Sequence, residues 1–307
     1  MIASAGLAAA VHVDVQVQAI GGQIVTGLGN VTDDGGTTLD VDFNERVFGD
    51  NLGSNFRSAD PGFNVLETGN SLIASQGAEG FADGAQIEFD FMPMTFGGDV
   101  MNIAYWDGSG AVDFGPAPTG TSWIFGIRRG FGRDEWTAFG DDAIVPGGLI
   151  GTVRENQNGK NRFHDHGEFE VERGGNELSG VYMVSLRMRV AGYEPSEPVI
   201  FVHHSLDTPR TIGDIAQDWT RDNYTLLTNA PGDYNGDGTV DAADYTVWRD
   251  AGSPLDGSPE QYAVWSGNFG DASPAASASA LAVPEPGSLL SLIAALSTGL
   301  ATMRGRR

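Results

Sequence analysis

The sequence predicts an all-β body, a β-sandwich of jelly-roll or immunoglobulin-like type, followed by a small α-helical calcium-loop module and a C-terminal hydrophobic helix. Three observations carry this prediction. Short runs alternate apolar and polar residues, the signature of strands with one face on a core. Turn residues punctuate those runs: the 307-residue chain has 44 glycines, about twice the usual ~7 % share. No long stretch before residue 210 repeats at the helical period.

The elements follow in order. Val13, Val15, Val17 and Ala19 share one face of the first strand, and Asp14, Gln16 and Gln18 share the other. Gly21-Gly22 then separates it from Gln23-Ile-Val-Thr26, a two-residue hairpin pattern. Ile87, Phe89 and Phe91 point inward from a second alternating run, and Tyr182, Val184, Leu186, Met188 and Val190 from a third. Pro198 to Val202 is almost continuously apolar, as in a strand buried on both faces.

Composition narrows function. The chain carries 41 acidic against 17 basic residues, a formal net charge of −24. That excludes nucleic acid as a partner, because affinity there comes from neutralising phosphates with Lys and Arg. Cysteine is absent, which removes disulfides, thiolate catalysis and cysteine-based zinc sites.

Residues 233–244, Asp-Tyr-Asn-Gly-Asp-Gly-Thr-Val-Asp-Ala-Ala-Asp, have the spacing of a calcium loop. Asp233, Asn235, Asp237, Asp241 and Asp244 place oxygen ligands at positions 1, 3, 5, 9 and 12. Thr239 offers its carbonyl at position 7, and Gly238 makes the sharp turn at position 6. One bound Ca2+ is the cofactor this predicts. A short helix follows over Ala242 to Arg249. Tyr262-Ala-Val-Trp265 then echoes Tyr245-Thr-Val-Trp248, an internal duplication. Counted the same way, a second loop begins at Asp250 and puts Gly252, Pro254, Ser258 and Gln261 at ligand positions, which cannot cage a calcium ion.

The segment Gly232 to Gly270 resembles a dockerin type I module, or the dockerin-like domain common in planctomycete exported proteins. The resemblance implies two loop–helix units packed face to face. The degenerate second loop argues against the cohesin partnership of a complete module. Asp rather than Glu at position 12 argues for a structural ion rather than a sensor.

Both ends read as address labels. Met1 to Ala10 (MIASAGLAAA) is small and apolar, like the back half of a secretory signal cleaved near Ala10; the basic leading segment is missing,. Residues 271–283 form an Ala/Ser/Pro linker,. Pro284-Glu285-Pro286 follows, then an uncharged run from Gly287 to Met303, then Arg304, Arg306 and Arg307. Such a run sits at the short edge of the ~17–25 residues that span a bilayer.

This tail resembles a PEP-CTERM sorting signal. The resemblance implies an exosortase-type processing enzyme as partner, transient anchoring in the inner membrane by the C-terminal helix, and export to the cell surface, outer envelope or medium. The organisation is therefore a signal remnant over 1–10, a β-sandwich over 11–228, the calcium module over 229–270, the linker over 271–283 and the sorting signal over 284–307.

Chemistry in the β body is sparse, and no catalytic residue is marked. In Phe163-His-Asp-His-Gly-Glu-Phe-Glu-Val171, a single strand puts His164, His166, Glu168 and Glu170 on one face. Zinc or copper is one reading, with His203 or His204 as a third ligand. Glu168 and Glu170 paired across strands with Arg187 and Arg189 is the other. Tyr105, Trp106, Trp123, Phe125 and Trp136 either stack on sugars or fill the core. The sequence thus describes a non-catalytic exported protein. The alternative is a carbohydrate-binding or adhesive module acting on a polysaccharide or envelope component, and a polysaccharide-acting hydrolase ranks below both.

Overall fold

A computed structural model describes residues 11–32, 37–96, 99–156, 158–229, 231–235, 239–250 and 259–270. Contacts divide the chain into two compact units, meeting in sequence at Thr228 and Asn229. The first unit is mostly β and builds several sheets.

Its strands run β1 (Val11–Ile20), β2 (Gln23–Thr32), β3 (Thr38–Asp42), β4 (Val47–Phe48), β5 (Arg57–Ser58) and β6 (Phe63–Val65), followed by one helical turn, α1 (Ser71–Ala74). Next come β7 (Gln86–Met92), β8 (Met94–Phe96), β9 (Asp99–Met101), β10 (Ile103–Trp106), β11 (Gly115–Pro116), β12 (Ser122–Arg129) and β13 (Gly132–Ala138). The body continues through β14 (Val145–Thr152), β15 (Arg154–Glu155), β16 (Asn161–Asp165), β17 (Glu168–Glu172), β18 (Val181–Arg189) and β19 (Val199–His204). Two helices end the unit, α2 (Arg210–Asp222) and α3 (Tyr224–Thr228).

One sheet has the order β15-β16-β6-β1-β2-β3. β1 and β2 form the expected hairpin, with Ile20 opposite Gln23. Gly21 and Gly22 turn it at φ +59° and +91°, a conformation that side chains resist. A second sheet centres on β18, which pairs with β19 on one edge and with β10 and then β7 on the other. β13-β12-β17-β5 make a third. Two pairings are parallel, β1 with β6 and β19 with β4.

The main core gathers Val15, Val17, Phe63 and Phe163 from the first sheet, Phe89, Tyr182, Val184, Leu186 and Phe201 from the second, and Trp123, Phe125 and Phe169 from the third. The second sheet is apolar on both faces. Val181, Met183, Ile200 and Val202 point the other way, into a smaller core closed by Ala216 of α2 and Leu227 of α3. That two-sided burial explains why 198–202 reads as nearly continuous apolar sequence.

Three sequence expectations need correction. The polar face of β1 does not meet solvent: Asp14, Gln16 and Gln18 are completely buried. The glutamine amides extend the short main-chain pairing of β1 with β6. Leu66 N–H donates to Gln18 Oε1 at 2.8 Å, and Gln18 Nε2 donates to the Leu66 carbonyl at 3.2 Å. Asn64 Nδ2 donates to Gln16 Oε1 at 2.8 Å. Alternation therefore marks two different buried faces here, because each amide finds a partner.

The segment 163–171 is not one strand. It leaves the first sheet at Asp165 and enters the third at Glu168, with His166-Gly167 as the corner. A Cβ on Gly167 would stand 2.2 Å from the Phe125 ring, so only glycine lets the chain cross there. The third correction follows from the second. Glu168 and Glu170 pair with Arg57, and Glu170 also with Arg133, while Arg187 and Arg189 pair with Asp90 and Arg189 also with Glu88. β17 pairs with β12 and β5, in a different sheet from β18.

The second unit contains α4 (Ala242–Asp250) and α5 (Pro259–Gly267). Their aromatic side chains meet: Tyr245 with Trp265 at 5.2 Å between ring centroids, and Trp248 with Tyr262 at 5.1 Å. Residues 1–10, the linker, and the tail with Pro284, Glu285, Pro286, Arg304, Arg306 and Arg307 lie outside the described residues. Among the described residues, no helix is long and apolar enough to cross a membrane.

Candidate metal centre

The histidine cluster arises where a strand stops. β6 lies between β1 and β16, and its first residue, Phe63, is opposite both Val15 and Asp165. Beyond that point β1 and β16 are second neighbours, about 10 Å apart by ordinary strand spacing. His12 and Asp14 enter this gap from β1, two residues apart and hence on one face. His164 comes from β16, opposite Asn64 of β6, and His166 from the corner just past the end of β16.

Their ligand atoms lie within 4.8 Å of one another, so the four residues could hold a metal ion. His164 Nε2 is 2.9 Å from Asp14 Oδ2, and His12 Nε2 is 3.4 Å from the same oxygen. His166 Nε2 is 3.3 Å from His164 Nε2. Asp14 is fully buried, whereas both His164 and His166 side chains are about one-third exposed.

A short segment organises the cluster from behind. Gly62 N–H donates to Asp14 Oδ1 at 2.9 Å. A Cβ on Gly62 would meet Asp14 Oδ1 and the His166 ring at 2.8 Å. His166 Nδ1 is 2.9 Å from the Ala59 carbonyl and 3.2 Å from Asp60 Oδ1. The Asp60 hydrogen bond, reinforced by the Ala59 carbonyl and the nearby Asp14 charge against the opposing pull of burial, raises the His166 pKa to about 9. The same contact lowers the pKa of Asp60. His166 also lines an open depression of about 260 Å³ that includes Arg57 and Arg128.

The proposed third ligands, His203 and His204, do not join this cluster. Both sit on β19 in the second sheet. His203 Nε2 is 3.0 Å from the Asp60 carbonyl, and His204 Nε2 is 3.2 Å from Asn51 Nδ2. Burial lowers both imidazole pKa values. His12 and Asp14 were hidden by their strand position, since polar residues at alternating sites pass for a solvent face. The signal that would have found them is the His-x-Asp of β1 matching the His-x-His of β16.

In the second unit, Asp233, Asn235, Thr239, Asp241 and Asp244 are described, and Asp237 is not. Asp244 is buried and organises the loop. Its Oδ1 accepts from Tyr234 N–H at 2.7 Å and Asn235 N–H at 2.9 Å, and its Oδ2 from Asp241 N–H at 2.7 Å. Val240 is fully buried. The second-loop positions Gly252, Pro254 and Ser258 lie outside the described residues.

The aromatic residues read as a sugar platform face inward. Trp106, Trp123 and Phe125 are buried. Trp136 is half-buried, edge-on to Phe89 at 5.4 Å. No protein-family model, no curated protein and no solved structure matches the chain.

Proposed function

We propose that this chain is an exported, non-catalytic surface protein that binds metal ions. In this reading its β body, a sandwich of jelly-roll or immunoglobulin-like type, takes one ion at His12, Asp14, His164 and His166. Its second unit takes one structural Ca2+ through Asp233, Asn235, Asp237, Thr239, Asp241 and Asp244. The observation that carries the reading is the convergence of three imidazoles and a buried carboxylate within 4.8 Å. Calcium is supported by the oxygen spacing of the loop.

Export and exosortase-type sorting rest on the Pro-Glu-Pro motif, the apolar run and the terminal arginines. A tag placed after Arg307 and lost during export is the outcome this predicts; a tag kept on the mature protein contradicts it. The inward aromatics withdraw the support a carbohydrate platform would need. Metal analysis of the full chain after dialysis tests the central assignment. It should find one transition ion per chain, and none after combined His164→Ala and His166→Ala.

A further inference from the structure

Donor chemistry sorts candidate ions first. Calcium takes six to eight oxygens, and the cluster in the β body offers a single carboxylate among three imidazoles. Imidazole nitrogen suits zinc, copper, nickel and iron.

Geometry then limits coordination. Asp14 Oδ1 is already occupied by Gly62 N–H, which leaves Oδ2 facing the histidines. That oxygen is buried and accepts no hydrogen bond from the described residues, although His164 Nε2 lies 2.9 Å away. A buried carboxylate oxygen in this condition is costly unless a cation meets it.

Bonds of 2.0–2.1 Å to four ligands at tetrahedral angles put the ligand atoms about 3.3 Å apart. Three of the six separations around the cluster are 2.9, 3.3 and 3.4 Å, and the others, all within 4.8 Å, would have to close on the ion. The outer contacts fit as well. Asp60 and the Ala59 carbonyl hold a proton on His166 Nδ1, the usual second layer of a histidine–metal site, so the proton an arriving ion displaces is the one on Nε2.

We propose, resting on the metal-binding reading above, that this is a closed four-coordinate site for a first-row transition ion of the zinc class, and that the ion fastens β1 to β16 where β6 ends. Three imidazole Nε2 atoms and Asp14 Oδ2 fill the tetrahedron. No position remains for a reactive water, so the site holds the fold rather than performing hydrolysis. Asp60 is a positioning residue that acts through His166.

Cobalt is the probe, because four-coordinate Co2+ absorbs visible light far more strongly than six-coordinate Co2+. The full chain should develop intense visible bands with one equivalent of Co2+. Zn2+ should bleach them, and excess Ca2+ should leave them unchanged. His12→Ala and His164→Ala should each abolish the bands while circular dichroism stays native. Asp233→Ala should keep them, and Asp60→Ala should weaken Zn2+ binding about 10–100-fold, with Asp60→Asn partly restoring it.

Bound cobalt with only weak, six-coordinate bands would overturn the closed site and leave metal binding intact. Intense bands that survive His12→Ala would overturn the fastening of β1. Unchanged affinity in Asp60→Ala would remove its positioning role. If neither Co2+ nor Zn2+ binds the unaltered chain, this inference and the reading beneath it fail together.

Discussion

The carboxylate loop of the second unit and the histidine cluster of the first differ in how their ligands are brought together. The loop draws its oxygens from twelve consecutive residues, 233–244, so the local chain nearly suffices to make it. The cluster draws four ligands from β1 and from β16 with the corner that follows it, about 150 residues apart in sequence, and only the sheet makes them neighbours. A loop of the first kind reports its metal in the sequence and tolerates distant change. A cluster of the second kind is hidden in the sequence and depends on residues that never touch the ion.

That dependence can be broken most severely at the corner between β16 and β17. Gly167→Ala drives a methyl group into the Phe125 ring, and overpacking of this kind costs about 2–3 kcal/mol. Denaturant unfolding of the full chain should register this loss, with weaker Zn2+ uptake and unaltered Ca2+ uptake. Equal loss of Zn2+ and Ca2+ uptake would break the contrast.

A smaller effect is expected at the amide ladder that carries Asp14 into place. Gln18→Leu keeps the volume but strands the Leu66 N–H and carbonyl. Buried groups left without partners cost about 1–3 kcal/mol, so a loss of about 2 kcal/mol is predicted, again without effect on calcium. Stability equal to that of the unaltered chain would show that water or a neighbour replaces the amide.

The smallest effect concerns the tie that holds β16. Glu67 bonds Arg162 and Lys160. Burial opposes ionisation, but these hydrogen bonds win and lower its pKa from 4.5 to about 2. A carboxylate with a depressed folded pKa contributes stability above its unfolded value and loses it as pH falls through the folded value. The contribution is therefore present above about pH 4.5 and lost between there and about pH 2. Both basic partners are partly exposed, which reduces it to about 1 kcal/mol. Glu67→Gln should be less stable than the unaltered chain at neutral pH, with the gap closing in that acid window. A gap that persists at the lowest pH would assign the loss to packing instead.

The same contrast sets how much could be read from the chain. The inward faces of 15–19, 87–91 and 182–190 were legible because apolar alternation needs no knowledge of neighbours, whereas Val13, which the same alternation put inside, is exposed. His164 and His166 were legible as a pair because two residues two apart share a strand face. His12 and Asp14 were not, since alternation alone cannot distinguish a face turned to water from one that satisfies its polar groups internally. The corner at Gly167 was also silent, because a glycine needed for a close approach to Phe125 looks like any turn glycine. Sequence could not place Arg57 beside Glu168 and Glu170, since strand order is a property of the sheet.

Paired calorimetric titrations of the full chain, Zn2+ in saturating Ca2+ and Ca2+ in saturating Zn2+, separate the cluster from the loop. One site for each ion, unaffected by the other, is expected. The zinc site should vanish in His164→Ala/His166→Ala and the calcium site in Asp233→Ala, with neither change crossing over. Absence of a zinc site, or a zinc site that survives the double histidine change, would contradict the proposed metal centre.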